Sequence, residues 1–182
     1  VRSLTMTSMI DKLAEQFGVK VFNTKVGFKN LAPLMCREKA IAAGEESGGY
    51  AFNGHIPERD GILSGLFFLD MMITMGKSSS ELLKFLYDKV GPHYYDRWDL
   101  KIDPLEKEKI LKRITKAKPD YISNKKVLTI DTRDGFQFIF DHGYWLLIRF
   151  SGTEPLVRIY AEAEDPASVQ RLLQDGRAFI GI

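Results

Sequence analysis

Leu156-Val157-Arg158-Ile159-Tyr160-Ala161-Glu162-Ala163 alternates strictly, with Val157, Ile159, Ala161 and Ala163 on one side of an extended chain and Arg158, Tyr160 and Glu162 on the other. Such a run is a β-strand with one buried side. Immediately before it, Tyr144 to Phe150 reads as a second strand, with Ser151 to Pro155 as the turn between them. Further upstream, Lys126 to Thr132 and Phe136 to Phe140 flank Asp134-Gly135, where glycine supplies the positive φ of a tight hairpin. Asp141-His142-Gly143 marks another turn. Downstream, Asp165-Pro166 opens a helix carrying Val169, Leu172 and Leu173 on one stripe, with Gly176 near its end. The expectation is a small C-terminal α+β domain with a four-stranded antiparallel sheet packed on helices.

The N-terminal part has a different rhythm. Ile10, Leu13, Ala14 and Phe17 recur at helical spacing, with Thr7 or Ser8 as a start and Gly18 as a stop. Val19 to Phe22 reads as a strand. A second helix begins near Asn30, with Leu31, Leu34 and Met35 as its period. Ile41 to Ala43 is strand-like and empties into Gly44-Glu45-Glu46-Ser47-Gly48-Gly49. The apolar stretch Ile62 to Met75, opening near Asp60, is expected to be a buried helix. Strand, helix, strand, loop and helix in that order predict an α/β/α mixed-sheet domain, with ligand-binding loops at strand ends. Gly76-Lys77-Ser78-Ser79-Ser80 breaks the pattern, and Ser78 with Glu81 predicts a capping box for the next helix. Gly91-Pro92 ends that helix, and a charged helix is expected from Pro104 to Lys116. The boundary is expected between Gly76 and Leu100, dividing the chain into domains 1–90 and 91–182.

Composition bounds the function. The chain has 182 residues, 45% apolar and 27% charged, the mix of a globular protein. Its 26 Lys plus Arg against 24 Asp plus Glu leave a net charge of +2, too little for a long-range field toward nucleic acid or an anionic membrane. The basic residues Lys107, Lys109, Lys112, Arg113, Lys116 and Lys118 are diluted by Glu106 and Glu108 and read as a solvated helix face. Ile62 to Met75 is too short to span a bilayer and contains Asp70. The lone Cys36 precludes an intrachain disulfide and fits a reducing, cytoplasmic compartment. The opening Val1-Arg2-Ser3 shows no targeting leader and suggests a fragment or processed chain.

Two loops carry the chemistry. In Arg149-Phe150-Ser151-Gly152-Thr153-Glu154-Pro155-Leu156-Val157-Arg158, two hydroxyls and a close-approach glycine lie between two guanidinium groups. That is the set that recognises a phosphate, since the arginine fork matches its oxygens. In Gly44 to Gly49, two carboxylates and a serine between glycines suit vicinal sugar hydroxyls. Together they suit a sugar phosphate. Each also reads as an ordinary glycine-containing turn with solvated charges.

Gly44-Glu45-Glu46-Ser47-Gly48 and Arg149-Phe150-Ser151-Gly152-Thr153-Glu154-Pro155 resemble the sugar-binding and phosphate-binding loops of the α-D-phosphohexomutases, the phosphoglucomutase/phosphomannomutase family. The resemblance spans the whole chain, covering most of that family's third domain and all of its fourth. It implies that Glu45 and Ser47, with Gly44, Gly48 and Gly49 around them, bind sugar hydroxyls. Arg149, Ser151, Gly152 and Thr153, with Arg158 beside them, would bind the substrate's non-reacting phosphate. It also offers Arg2, Lys25 and His55 as further substrate-facing residues. Phe28 and Gly49 stand where some members carry histidine, so no proton-transfer role passes to those positions. Gly54-His55-Ile56-Pro57 through Asp60-Gly61-Ile62 resembles the glucose and mannose branch more than the glucosamine branch.

The family's phosphoserine loop and Asp-Gly-Asp-x-Asp magnesium loop do not occur in this sequence. The resemblance therefore implies the C-terminal half of a mutase that interconverts hexose 1-phosphate and hexose 6-phosphate. Its Mg2+ ligands and a glucose 1,6-bisphosphate-type activator would belong to the parent enzyme, with the missing N-terminal domains as partners and no metal site in this half. Alone, this half is expected to be inactive, because a phosphoryl-transfer site needs a donor and charge neutralisation. The rival reading is a non-catalytic sugar-phosphate-binding module.

Overall fold

The computed structural model describes residues 1–152 and 154–181, which form two units, Val1–Pro92 and His93–Ile182. In the first unit, β1 (Arg2–Ser3), β2 (Asn23–Thr24) and β3 (Ala42–Gly44) run parallel, and β4 (Tyr50–Phe52) returns antiparallel, in the order β2-β1-β3-β4. The helices are α1 (Met9–Phe17), α2 (Phe28–Glu38), α3 (Gly61–Met75) and α4 (Ser79–Val90). Gly18 stops α1 at φ 64°, a left-handed conformation that glycine adopts without a Cβ clash. Ser78 and Glu81 form the capping box at the start of α4, satisfying two otherwise orphaned backbone N–H groups. Phe28, Leu31 and Met35 of α2 bury against Ala43 and Ala51.

Two expectations for this unit need correction. The strand foreseen at Val19 to Phe22 lies at Asn23–Thr24, because parallel pairing with Arg2–Ser3 sets its position rather than local hydrophobicity. The helix expected to be buried, α3, has no buried residue, and Ile62 is 81% exposed. Its run is apolar all round, so sequence shows a tendency to be buried without showing against what. Phe67 meets Phe52 edge-on, with ring centroids 4.6 Å apart. On another sector Phe68 and Met71 line an open apolar groove of about 440 Å³ with Leu13, Phe17, Leu82 and Leu86.

The second unit is built on one antiparallel sheet. It contains β5 (Tyr94–Lys101), α5 (Lys107–Lys116), β6 (Tyr121–Ile122), β7 (Lys125–Lys126), β8 (Thr129–Asp131), β9 (Phe136–Ile139), β10 (Trp145–Phe150), β11 (Leu156–Ala163) and α6 (Pro166–Ile180). The sheet order is β5-β11-β10-β9-β8, five strands where four were expected, and β6-β7 is a separate hairpin. The additional strand, β5, pairs with the whole length of β11. Trp98 and Leu100 pack against the core, while the charges of Arg97 and Asp99 interrupt the strand's hydrophobic pattern. Charges are common on an edge strand, and here they mask the alternation.

One side of this sheet carries Phe138, Leu146, Ile148, Val157, Ile159 and Ala161, packed on Val169, Leu172, Leu173 and Ile180 of α6. Each fully buried branched aliphatic contributes about 1.5–3 kcal/mol. Asp165 caps α6 by accepting from the Ser168 N–H at 2.9 Å, and Pro166 occupies its first turn. The opposite side of β11 is not simply exposed: Tyr160 is buried with Trp145 and Leu147, and Glu162 is buried too. Among the described residues, no helix is long and apolar enough to cross a membrane.

Candidate functional site

The parallel strands of the first unit end at one edge, where the loops after Ser3, Thr24 and Gly44 emerge. Ligands bind at such carboxyl ends in α/β sheets. Glu45 is buried there, and its Oε1 accepts a 2.7 Å hydrogen bond from the Gly27 backbone N–H. Within the loop the Glu45 N–H donates to the Gly49 carbonyl at 3.0 Å, and the Gly48 N–H donates to the Glu45 carbonyl at 3.1 Å. Glu46 accepts from the Thr5 hydroxyl, tying the loop to the end of β1. Ser47 stands exposed at the tip.

The two flanking glycines answer to packing. A Cβ at Gly44 would come within 2.6 Å of the Tyr50 ring, and one at Gly49 within 2.6 Å of Arg59 Cδ. Arg59, which sequence reading passed over, thus lies against the loop, with its guanidinium carbon 5.5 Å from the Phe28 ring centroid. No local sequence signal marks it.

Other residues singled out from sequence fall in varied places. Arg2 is buried, donating from Nη1 to the Met6 carbonyl at 2.8 Å and pairing through Nη2 with Asp11 at 2.6 Å. Lys25 is exposed in the loop before α2, whereas Phe28 is core. His55 Nε2 lies 2.9 Å from Asp60 Oδ2. The Leu63 N–H, then His55, hold the Asp60 carboxyl below its ordinary range. His55 therefore supports the residue that caps α3.

In the second unit, Arg149 and Arg158 lie directly opposite each other across β10 and β11 and share one side of the sheet. The Ser151 N–H donates to the Leu156 carbonyl at 2.9 Å, closing the turn, and Ser151 Oγ accepts from the Glu154 N–H at 3.3 Å. Ser151 is buried, and Gly152 has open space where a Cβ would project. Thr153, also named from the sequence, lies outside the described residues. Two guanidinium groups thus stand beside the turn, each offering N–H donors. Carboxylates flank them: Arg149 Nε is 3.0 Å from Asp134, Arg158 Nε is 3.4 Å from Asp99, and Arg158 Nη2 is 3.2 Å from Glu154.

Among the described residues, no group of three His, Cys, Asp or Glu side chains is placed to hold a metal ion. The basic helix α5 has Lys109 3.1 Å from Glu106 and Lys112 3.9 Å from Glu108, while Ile110 and Ile114 are buried.

Comparison with known proteins gives the family. Residues 1–90 match the family described as phosphoglucomutase/phosphomannomutase, alpha/beta/alpha domain III, and residues 101–178 match the same family's C-terminal domain. A phosphoglucomutase/phosphomannomutase of Thermococcus kodakarensis is 31% identical over 97% of this chain and 36% of its own length. A phosphoglucosamine mutase of Methanococcus maripaludis is 34% identical over 99% of this chain and 38% of its own length. A crystal structure of a phosphomannomutase homologue from Thermus thermophilus superposes with a TM-score of 0.78 at 32% identity, covering 98% of this chain and 35% of that one. The chain thus spans little more than a third of the length of these relatives, and both mutase names occur at similar identity. With both of its units matched in order, this chain belongs to the α-D-phosphohexomutase family, the phosphoglucomutase/phosphomannomutases, and comprises its domains III and IV.

Proposed function

We propose that this chain is the substrate-positioning half of an enzyme that interconverts hexose 1-phosphate and hexose 6-phosphate by phosphotransfer through a bisphosphorylated sugar. The observation that carries the reading is the placement of Arg149 and Arg158 directly opposite each other, with Ser151 and Gly152 in the turn between their strands. Glu45 and Ser47 would accept and donate hydrogen bonds to the sugar hydroxyls, with the Gly27 N–H holding the Glu45 carboxylate in place. Arg149, Ser151, Gly152, Thr153 and Arg158 would hold the non-reacting phosphate. Lys25, exposed in the loop before α2, would be a secondary candidate, and Arg2 a weaker one, since its guanidinium is engaged with Met6 and Asp11. His55 is weaker too, since its ring is engaged with Asp60.

Units 1–90 and 91–182 would then be the sugar-reading and phosphate-reading domains. Positioning is a large part of phosphoryl-transfer catalysis, because the protein itself has little covalent chemistry to do. The phosphoryl donor, Mg2+ and any glucose 1,6-bisphosphate-type activator are assigned to the parent enzyme, whose remaining domains are the partners of this half. The lone Cys36 fits a cytoplasmic setting.

The test is a mutase assay of the full-length protein beside this chain alone, with glucose 1-phosphate and mannose 1-phosphate. Turnover by the full-length protein only is the expected result. Turnover by the purified chain would overturn the division of labour, and binding without turnover by the full-length protein would favour a sugar-phosphate-binding module.

A further inference from the structure

Asp134-Gly135 reads from sequence as a hairpin turn and nothing more, yet its position makes it part of the arginine pair's surroundings. Gly135 has φ +100°, and a Cβ there would lie 2.5 Å from the Ile148 carbonyl oxygen and 3.1 Å from Arg149 Cα. The turn therefore presses on β10 at Arg149, and Asp134 comes to 3.0 Å from Arg149 Nε. Arg133, the cation of that turn, pairs with Asp131. Across the sheet, Asp99 of β5 lies directly opposite Arg158 of β11, 3.4 Å from its Nε. The order on one side is Asp134, Arg149, Arg158, Asp99. Two cations stand side by side with a carboxylate at each outer edge; Asp99 is shared with Arg97 of β5, whose Nε is 2.8 Å away, and Arg158 Nη2 also reaches Glu154 at 3.2 Å.

Like charges directly opposite on adjacent strands repel, and unrestrained arginines would splay apart. An outer carboxylate lies beside each Nε as an ion pair without a hydrogen bond at that atom, and its charge offsets that repulsion. Both arginine side chains are only partly exposed, 17% for Arg149 and 25% for Arg158, so solvent screens these pairs less than it screens free surface pairs.

We propose that Asp134 and Asp99 are positioning residues that hold Arg149 and Arg158 side by side for the substrate's phosphate; the proposal rests on the reading of this turn as the phosphate loop. Because that phosphate is the one that does not react, its contacts are the same in ground and transition states. Losing the positioning residue raises KM and leaves kcat nearly unchanged.

The experiment uses the full-length enzyme with D134N, D134E, R149A and the double variant D134N/R149A. It measures KM, kcat and the calorimetric Kd for glucose 1-phosphate, with thermal midpoints to confirm folding. D134N is expected to raise KM and Kd roughly fivefold, the upper range for a partly exposed ion pair. D134E should restore most of the loss, and D134N should add nothing in the R149A background. A fall in KM for D134N would overturn the proposal, showing that the carboxylate competes with the phosphate. An unchanged KM, or an equal loss with and without Arg149, would overturn it too. If R149A itself leaves Kd unchanged, the phosphate-loop reading fails and the proposal falls with it. D99N, read against an R158A background, provides an independent variant should D134N fail to fold.

Discussion

The carboxylate of Glu45 is held by the backbone N–H of Gly27, 2.7 Å away across eighteen residues of sequence, so the loop after one strand orients the acid that follows another. Gly27 has φ +108°, which a residue with a Cβ rarely adopts, so that the donor's aim depends on glycine.

Replacing Glu45 by Gln separates charge from shape. The amide oxygen can still accept from Gly27, so the fold should persist, while the second oxygen loses its charge and its acceptor role. A hydrogen bond to a charged group contributes about 1.5–3 kcal/mol. Calorimetry on the full-length protein should show weaker glucose 1-phosphate binding by that amount and unchanged inorganic phosphate binding. Equal affinity for the sugar phosphate before and after would remove Glu45 from the sugar site.

Gly135→Ala tests the turn beside the arginine pair. A Cβ 2.5 Å from the Ile148 carbonyl cannot be relieved by a side-chain rotation, and the positive φ adds strain. A loss of about 1–3 kcal/mol in urea unfolding is expected. A variant as stable as the parent would show that the turn does not press on β10.

Gly176→Ala sets two effects against each other. Alanine gains about 1 kcal/mol in helix propensity. Its Cβ, however, would lie 2.9 Å from Ile159 Cγ2 and 3.2 Å from Leu146 Cδ1, both in the packed core, where overpacking costs about 1–3 kcal/mol. The net should be destabilising by roughly 1 kcal/mol, read as a lower urea midpoint. A stabilised variant would mean that α6 can move off the sheet freely.

Asp131 gives a pH signature. Side-chain hydrogen bonds from Arg133 hold its carboxyl below the usual range, against a smaller opposing effect of burial. A depressed pKa in the folded state stabilises above the unfolded value of about 3.9, and that contribution disappears as pH falls through the folded value. Asp131→Asn should therefore lower stability at pH 7 and flatten the acid limb below about pH 4. Parallel acid limbs in both proteins would count against the pair.

Much of this protein was determined by local sequence. The strand at Leu156 to Ala163, the Val169–Leu172–Leu173 stripe, the Ser78–Glu81 capping box and the Asp134-Gly135 turn formed as read, because each is decided by side-chain period or by backbone freedom within a few residues, although the second side of that strand, at Tyr160 and Glu162, is buried where only one buried side was expected. The two candidate loops stood out because glycines, acids, hydroxyls and arginines cluster in them. Tertiary structure decided the rest. Tyr94 to Lys101 became a strand only because β11 offers a free edge, its own alternation being obscured by charge. The apolar run of α3 said nothing about which sector would find a neighbour. The row Asp134, Arg149, Arg158, Asp99 has no sequence signal at all, since its members come from four segments up to fifty-nine residues apart. Strand register and turn packing bring those charges into line, and register belongs to the folded sheet as a whole.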